Sequence, residues 1–180
     1  LQSASKYIGG HSDTIGGVVS ASAEHIRKIY ESEFLNAGAG IMPFNAWLLL
    51  RGLRTLPARL ERIRRTTGPV LDFLSAHPFI TQIIAPANAF GLFTFITAAK
   101  SRDEISRFCE ALHHIPMAVS WGGHESLVVP AQVVRVQAAG PNSAIDFGVS
   151  ERIVRLHVGL EGQDVLVADL AQAIREAKMS

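Results

Sequence analysis

The chain has 180 residues, of which 48% are apolar and 18% charged, and its formal net charge is +1. That length suits one ordinary domain or parts of two, and that apolar share can bury a core, which excludes wholesale disorder. Near-neutrality excludes the strongly basic face that a nucleic-acid partner calls for.

The longest mostly apolar run, FGLFTFITAA at 90–99, is far short of the ~20 residues that span a bilayer, so no membrane partner is expected. Cys109 is the only cysteine. An internal disulfide and a multi-cysteine zinc site are thereby excluded, and a cytoplasmic location fits. The helix-like surroundings of Cys109, SRDEISRFCEAL, make it core filler, not a nucleophile.

In chain order, LQSASKYIGGHSDTIGG brings Ser3, Ser5 and Lys6 together before two Gly-Gly pairs. Residues 14–21 read as a short strand entered from a glycine turn. Residues 22–35 read as a helix capped by Ser22, with Ile26, Ile29 and Tyr30 at helical spacing. NAGAGIMP at 36–43 is punctuated by glycine and proline. A long periodic stretch follows Pro43, placing Trp47, Leu50, Leu53, Leu56, Leu60 and Ile63 on one side. Pro57 is expected to kink or restart this helix, having no N–H and a ring that meets the preceding turn. The basic run RLERIRR at 59–65 is a solvated helix face.

From Pro78 the pattern changes. FITQIIAP (79–86) and GLFTFITA (91–98) read as strands, and 101–112 as a helix with a capping box of Ser101 and Glu104. IPMAVSW, QVVRVQ and IVRLHVGL read as short extended runs. Residues 162–178 close the chain as a helix with Leu166, Leu170, Ile174 and Ala177 on one face. Strands alternating with helices predict an α/β layer.

Lysine becomes a covalent catalyst when its amine forms a Schiff base with a carbonyl such as that of pyridoxal 5′-phosphate (PLP). Such a lysine needs a phosphate anchor close by. In an extended stretch Ser3 and Ser5 would offer two hydroxyls on one side, with Lys6 on the other. In IVRLHV, Val154, Leu156 and Val158 share one strand face, and Ile153, Arg155 and His157 the other. The apolar face should enter the core, leaving the planar fork of Arg155 to meet a carboxylate or a surface ion-pair partner. His11 and Asp13 are expected to brace the loop carrying Lys6. His113 and His114 point apart, so no metal pair is expected there, and His124 and His157 read as structural or exposed. Gly9, Gly10, Gly16 and Gly17 suggest close backbone approach or positive φ.

SASKYIGGHSDTIGG closely resembles the S-A-T-K-Y-x-x-G-H-S-D-x-x-G-G segment of the Cys/Met-metabolism family of PLP enzymes. PFNAWLLLRGLRTLPARLER (43–62), VSWGGHESLVVPA (119–131) and IVRLHVGLEGQDVLVADLAQAI (153–174) resemble three further family motifs, in the family's order. The resemblance implies the C-terminal part of a fold-type I PLP enzyme. Residues 1–42 would be the end of the large PLP-binding domain, 43–77 connecting helices, and 78–180 a small C-terminal α/β domain. It implies Lys6 as the Schiff-base lysine, with Ser3 and Ser5 (where the family usually has Thr) on the cofactor phosphate. Arg155 would take the substrate α-carboxylate, flanked by Ser120 and by Trp121, whose N–H can donate.

The SWGG reading points to the cystathionine β-lyase branch, and the apolar Val119 to that branch or a methionine γ-lyase-like enzyme, with cystathionine γ-lyase or γ-synthase as alternatives. A non-catalytic module of the family is the alternative of another class. The partners implied are a small sulfur amino acid, a second copy in a dimer or tetramer, and the family's preceding part of the chain. That preceding part would supply the groups expected on the cofactor's ring nitrogen and ring face. The connection 83–93 is shorter than the family's usual run.

Overall fold

A computed structural model describes residues 1–87, 91–136, 140 and 142–178. The short connection expected at 83–93 therefore lies partly outside the described residues. Two compact units divide the chain, Leu1–Ala58 and Arg59–Ser180.

In the first unit, β1 (Gln2–Ser3) pairs antiparallel with β2 (Gly17–Val18). Helix α1 (Ala23–Ile29) begins at Ser22, whose hydroxyl accepts the His25 N–H as expected of an N-cap. A π-helical turn (Tyr30–Phe34) and the short α2 (Leu35–Ala37) continue it. The chain reverses at Gly38 and Ala39, both at positive φ, and enters α3 (Pro43–Ala76), with Pro at its first position.

The expected break at Pro57 is absent: α3 runs through it. Leu53, whose carbonyl Pro57 cannot serve, and Pro57 itself both lie on the exposed side, where water can take that role. The apolar stripe predicted for the start of α3 also differs. Leu48, Leu49 and Gly52 are buried, whereas Trp47, Leu50 and Leu53 are exposed. The reason is Gly52. A Cβ there would lie 2.2 Å from the Gly9 carbonyl oxygen and 2.4 Å from that of Ile8, so only glycine lets this face meet the backbone of the Lys6 turn.

The second unit is a four-stranded sheet, wholly antiparallel, in the order β3 (Ile80–Ile84), β4 (Leu92–Thr97), β6 (Ile153–His157), β5 (Leu127–Pro130). Strand β4 alternates strictly, burying Phe93, Phe95 and Thr97. Val128, Val154, Leu156 and Val158 join this core. The helices covering it are the end of α3 through Val70 and Leu74, α4 (Arg102–Glu110) through Ile105 and Phe108, and α7 (Gln163–Ala177) through Leu166, Leu170 and Ile174. Cys109 is buried in it, and burial pushes its thiol up to about 12, as befits filler.

Ser101 caps α4 as predicted, accepting the Glu104 N–H at 3.2 Å, but the Glu104 carboxylate reaches back to the Lys100 N–H, one residue beyond the expected cap. The final Gln137 of QVVRVQ lies outside the described residues, and QVVRV at 132–136 is not extended: α5 (Ala131–Val136) follows β5 directly. Its last carbonyls, of Val134 and Arg135, accept from the Asn142 side chain, which also caps α6 (Ser143–Asp146). IPMAVSW forms a single bridge, Met117 to Val128, and no strand. No helix among the described residues is long and apolar enough to cross a membrane.

Candidate active site

The segment carrying Lys6 is a turn, not an extended stretch. Residues 4–9 leave β1, and the Gly9 N–H closes on the Ala4 carbonyl at 2.8 Å while the Gly10 N–H closes on that of Lys6 at 2.8 Å. The side-by-side placement of Ser3 and Ser5 expected of a strand therefore does not apply, because the ladder ends at Ser3.

Gly16 is the pivot. Its carbonyl accepts the N–H groups of Ala4 (2.9 Å) and Ser5 (3.2 Å). The Ser5 hydroxyl accepts the Gly16 N–H at 2.9 Å and donates back to its carbonyl at 3.3 Å. Ser3 is exposed, while Ser5 and Lys6 are half-buried. His11 donates Nδ1–H to the Gly9 carbonyl at 2.7 Å, and Asp13 pairs with Arg51 of α3 at 2.7 Å. Both do the bracing read from the sequence. Burial pushes the neighbouring Tyr7 phenol up to about 12.

The donor set at this turn suits an aldehyde-bearing phosphate cofactor. The amine can attach it covalently, the Ser3 hydroxyl is exposed to solvent, and Ser5 can offer its proton by releasing the longer of its two bonds to Gly16. The turn itself is seated on α3 at Gly52, where an added Cβ would lie 2.2 Å from the Gly9 carbonyl oxygen.

In the second unit, Arg155 stands on β6 opposite Thr94 of β4 and Val129 of β5, on the face away from the buried Val154 and Leu156. Its Nη2 donates to the Ser120 carbonyl at 3.2 Å, and its guanidinium carbon lies 5.4 Å from the Trp121 ring centroid. Burial draws its pKa down from the arginine value. The unit thus brings Ser120, Trp121 and Arg155 together, as their assignment to one ligand group requires. Arg155 also lines a cavity of about 330 Å³ with Thr94, Val129, Phe147 and Ile153.

The turn 120–126 is strapped to the strand end by His157, whose structural role was one of the two expected of it, and by Glu161, which no local pattern singled out. His157, which is buried, accepts the Gly122 N–H on Nε2 at 2.9 Å. The Leu160 N–H reaches the His124 carbonyl at 2.8 Å. Glu161 accepts both the N–H (2.6 Å) and the hydroxyl (2.8 Å) of Ser126, which in turn accepts from Gly159 N–H at 2.8 Å. A Cβ on Gly159 would lie 2.4 Å from the His124 carbonyl oxygen. Nearby, buried Asp169 of α7 accepts the backbone N–H groups of His113 and His114 at 2.9 and 2.8 Å. Such straps are long-range hydrogen bonds, which no local pattern of residues carries.

The model of one family, described as Cys/Met metabolism PLP-dependent enzyme, matches residues 1–175. The chain belongs to this family. It is 33% identical to the cystathionine beta-lyase of Escherichia coli over 186 residues, 94% of this chain and 46% of that protein. It is 32% identical to the cystathionine gamma-synthase of Mycobacterium bovis over 191 residues, 97% of this chain and 48% of that protein. Its fold superposes on the cystathionine gamma-lyase of Lactobacillus plantarum complexed with L-serine with a TM-score of 0.84 at 29% identity, covering 97% of this chain and 49% of that one. The chain spans about half the length of the curated relatives it matches. The fold is that of the fold-type I PLP enzymes over that span, and the family's cofactor is pyridoxal 5′-phosphate. Relatives named cystathionine beta-lyase, gamma-synthase and gamma-lyase thus match at 33, 32 and 29% identity.

Proposed function

We propose that this chain is part of a PLP-dependent carbon–sulfur lyase that cleaves L-cystathionine by β-elimination, consuming water and yielding homocysteine, pyruvate and ammonia. Lys6, Ser3 and Ser5 would hold the cofactor, Lys6 by its amine and the serines by hydroxyl donation to the phosphate. When bound, the cofactor supplies an electron sink for the charge left at the substrate Cα. The Lys6 amine would be the base for the Cα proton. Arg155 takes the α-carboxylate with its planar fork, and Ser120 and Trp121 flank it. Orientation is its contribution, since a Cα proton leaves readily only when its bond is aligned with the electron sink.

The observation that carries this reading is the Ser120–Trp121–Arg155 cluster: a carboxylate-reading guanidinium held by its neighbours' backbone and ring. The β-lyase branch is favoured by Val119, exposed and apolar, which offers no partner to a distal ammonium. Cleavage at Cγ, or cystathionine synthesis, is the second reading. It is favoured by the near-equal identity to gamma-synthase and gamma-lyase relatives. The enzyme is proposed to act in the cytoplasm as a homo-oligomer, with residues 1–42, 43–77 and 78–180 as large-domain end, connector and small domain.

The test is an absorbance spectrum of the purified full-length protein with PLP, before and after borohydride. A band near ~420 nm that reduction removes, with phosphopyridoxyl mass on Lys6, is the expected result. Pyruvate released from cystathionine then marks β-elimination, and 2-oxobutyrate the γ route. A protein that shows no such band is a non-catalytic member of the family.

A further inference from the structure

We infer that His157 is a positioning residue: it holds the Ser120–Gly122 turn and, through that turn, sets the Arg155 guanidinium for a substrate carboxylate. This rests on the reading that Arg155 takes that carboxylate.

Arg155 and His157 are two residues apart on β6 and share its face. Between them they hold three consecutive residues of the turn. His157 Nε2 accepts the Gly122 N–H at 2.9 Å, Arg155 Nη2 donates to the Ser120 carbonyl at 3.2 Å, and the Trp121 ring lies 5.4 Å from the guanidinium. Gly122 sits at φ +80°, where its amide direction depends on a backbone that few residues adopt. A fixed acceptor removes that freedom. Losing it removes one of the bonds that fix the turn beside the Ser120 carbonyl, on which one arm of Arg155 is anchored.

An imidazole nitrogen accepts only when it carries no proton. The surroundings favour that state: the ring is 1% exposed, and burial is the largest influence on it, drawing its pKa down. The charged groups facing it are Glu125 and Glu161, which oppose that shift, and Arg155, which adds to it. Its cross-strand neighbours, Leu92 on β4 and Leu127 on β5, bring no charge. The core of the unit lies on the opposite face of β6, through Val154, Leu156 and Val158, so the role is separable from folding.

The experiment compares His157→Gln, which keeps an acceptor at similar reach, with His157→Leu, which keeps bulk and loses it. In the holoenzyme, His157→Leu is expected to raise KM for the amino-acid substrate about tenfold with a smaller change in kcat, and His157→Gln to stay near wild type. Amide exchange of residues 120–124, read by mass spectrometry with and without cofactor, should quicken in His157→Leu only. In the wild type, KM should rise as pH falls below the ordinary histidine range, and in His157→Gln that acid limb should vanish. Unchanged KM and unchanged exchange in His157→Leu overturn the inference. So does equal damage in both variants, which would assign the effect to ring packing. Arg155→Gln separates the two readings. Unchanged KM there overturns the carboxylate assignment, while exchange at Gly122 still decides whether His157 holds the turn.

Discussion

Arg155 has a half-buried guanidinium with one arm on a backbone carbonyl and its carbon 5.4 Å from the centre of an indole ring. Lysine would keep the charge and lose the fork. Arg155→Lys is expected to raise KM for the amino-acid substrate by about 10- to 100-fold, leaving the cofactor absorbance unchanged, since a hydrogen bond to a charged group contributes about 1.5–3 kcal/mol. His157 makes a second prediction at this scale. Its folded pKa lies below the ordinary 6.5, so the unfolded chain takes up the proton first as pH falls. The stability it contributes is complete above 6.5 and is lost as pH falls through the lowered folded value. Urea midpoints measured across that window should decline in the wild type and stay flatter in His157→Gln.

At the scale of elements, the contact between the start of α3 and the Lys6 turn depends on one missing methyl group. The nearest obstacles to a Cβ on Gly52 are backbone atoms, two carbonyl oxygens at 2.2 and 2.4 Å and the Gly9 carbonyl carbon at 2.9 Å, and none can rotate away. Gly52→Ala must therefore shift either the helix or the turn. The expected loss is about 1–3 kcal/mol of stability, together with cofactor affinity, read by thermal unfolding and by PLP titration. Had the contact been slack, alanine would instead stabilise the helix. Several elements were legible because their determinants are local: the Ser22 and Ser101 caps, the alternation of β4, and the Leu166–Leu170–Ile174 stripe of α7. QVVRVQ was not, because its β-branched residues favour a strand while its helical turn is closed from outside by Asn142. The same holds for the Lys6 segment, which looks extended until Gly16 folds it.

At the scale of the whole molecule, the two units differ in what they bury. Arg59–Ser180 has a continuous core from three helices and four strands. In Leu1–Ala58, α1, the π-helical turn and α2 bury no residue, and Ile15, Leu35, Phe44 and Trp47 are all more than half exposed. Apolar surface of that extent marks a face made for covering, and the chain spans only about half the length of its relatives. Hydrogen exchange of this 180-residue chain should therefore be fast across 23–37 and slow in β4 and β6. In a longer form carrying the preceding part that the family has, 23–37 should become protected. Equal exchange in the two forms would show that nothing covers this face.

By itself the sequence determined the family, the covalent lysine candidate and the alternation that separates Arg155 from the core. These follow from short-range patterns: a motif within one turn, a period of two along one strand, a cap beside its helix. Tertiary structure alone decided that residues 4–9 turn back on Gly16, that Gly52 seats this turn on α3, and that His157 and Glu161 strap the loop beside Arg155. Each of those is a contact between residues more than ten positions apart. The free energy of such a contact depends on which groups the rest of the fold brings within about 3 Å, a quantity that no local pattern of residue types encodes.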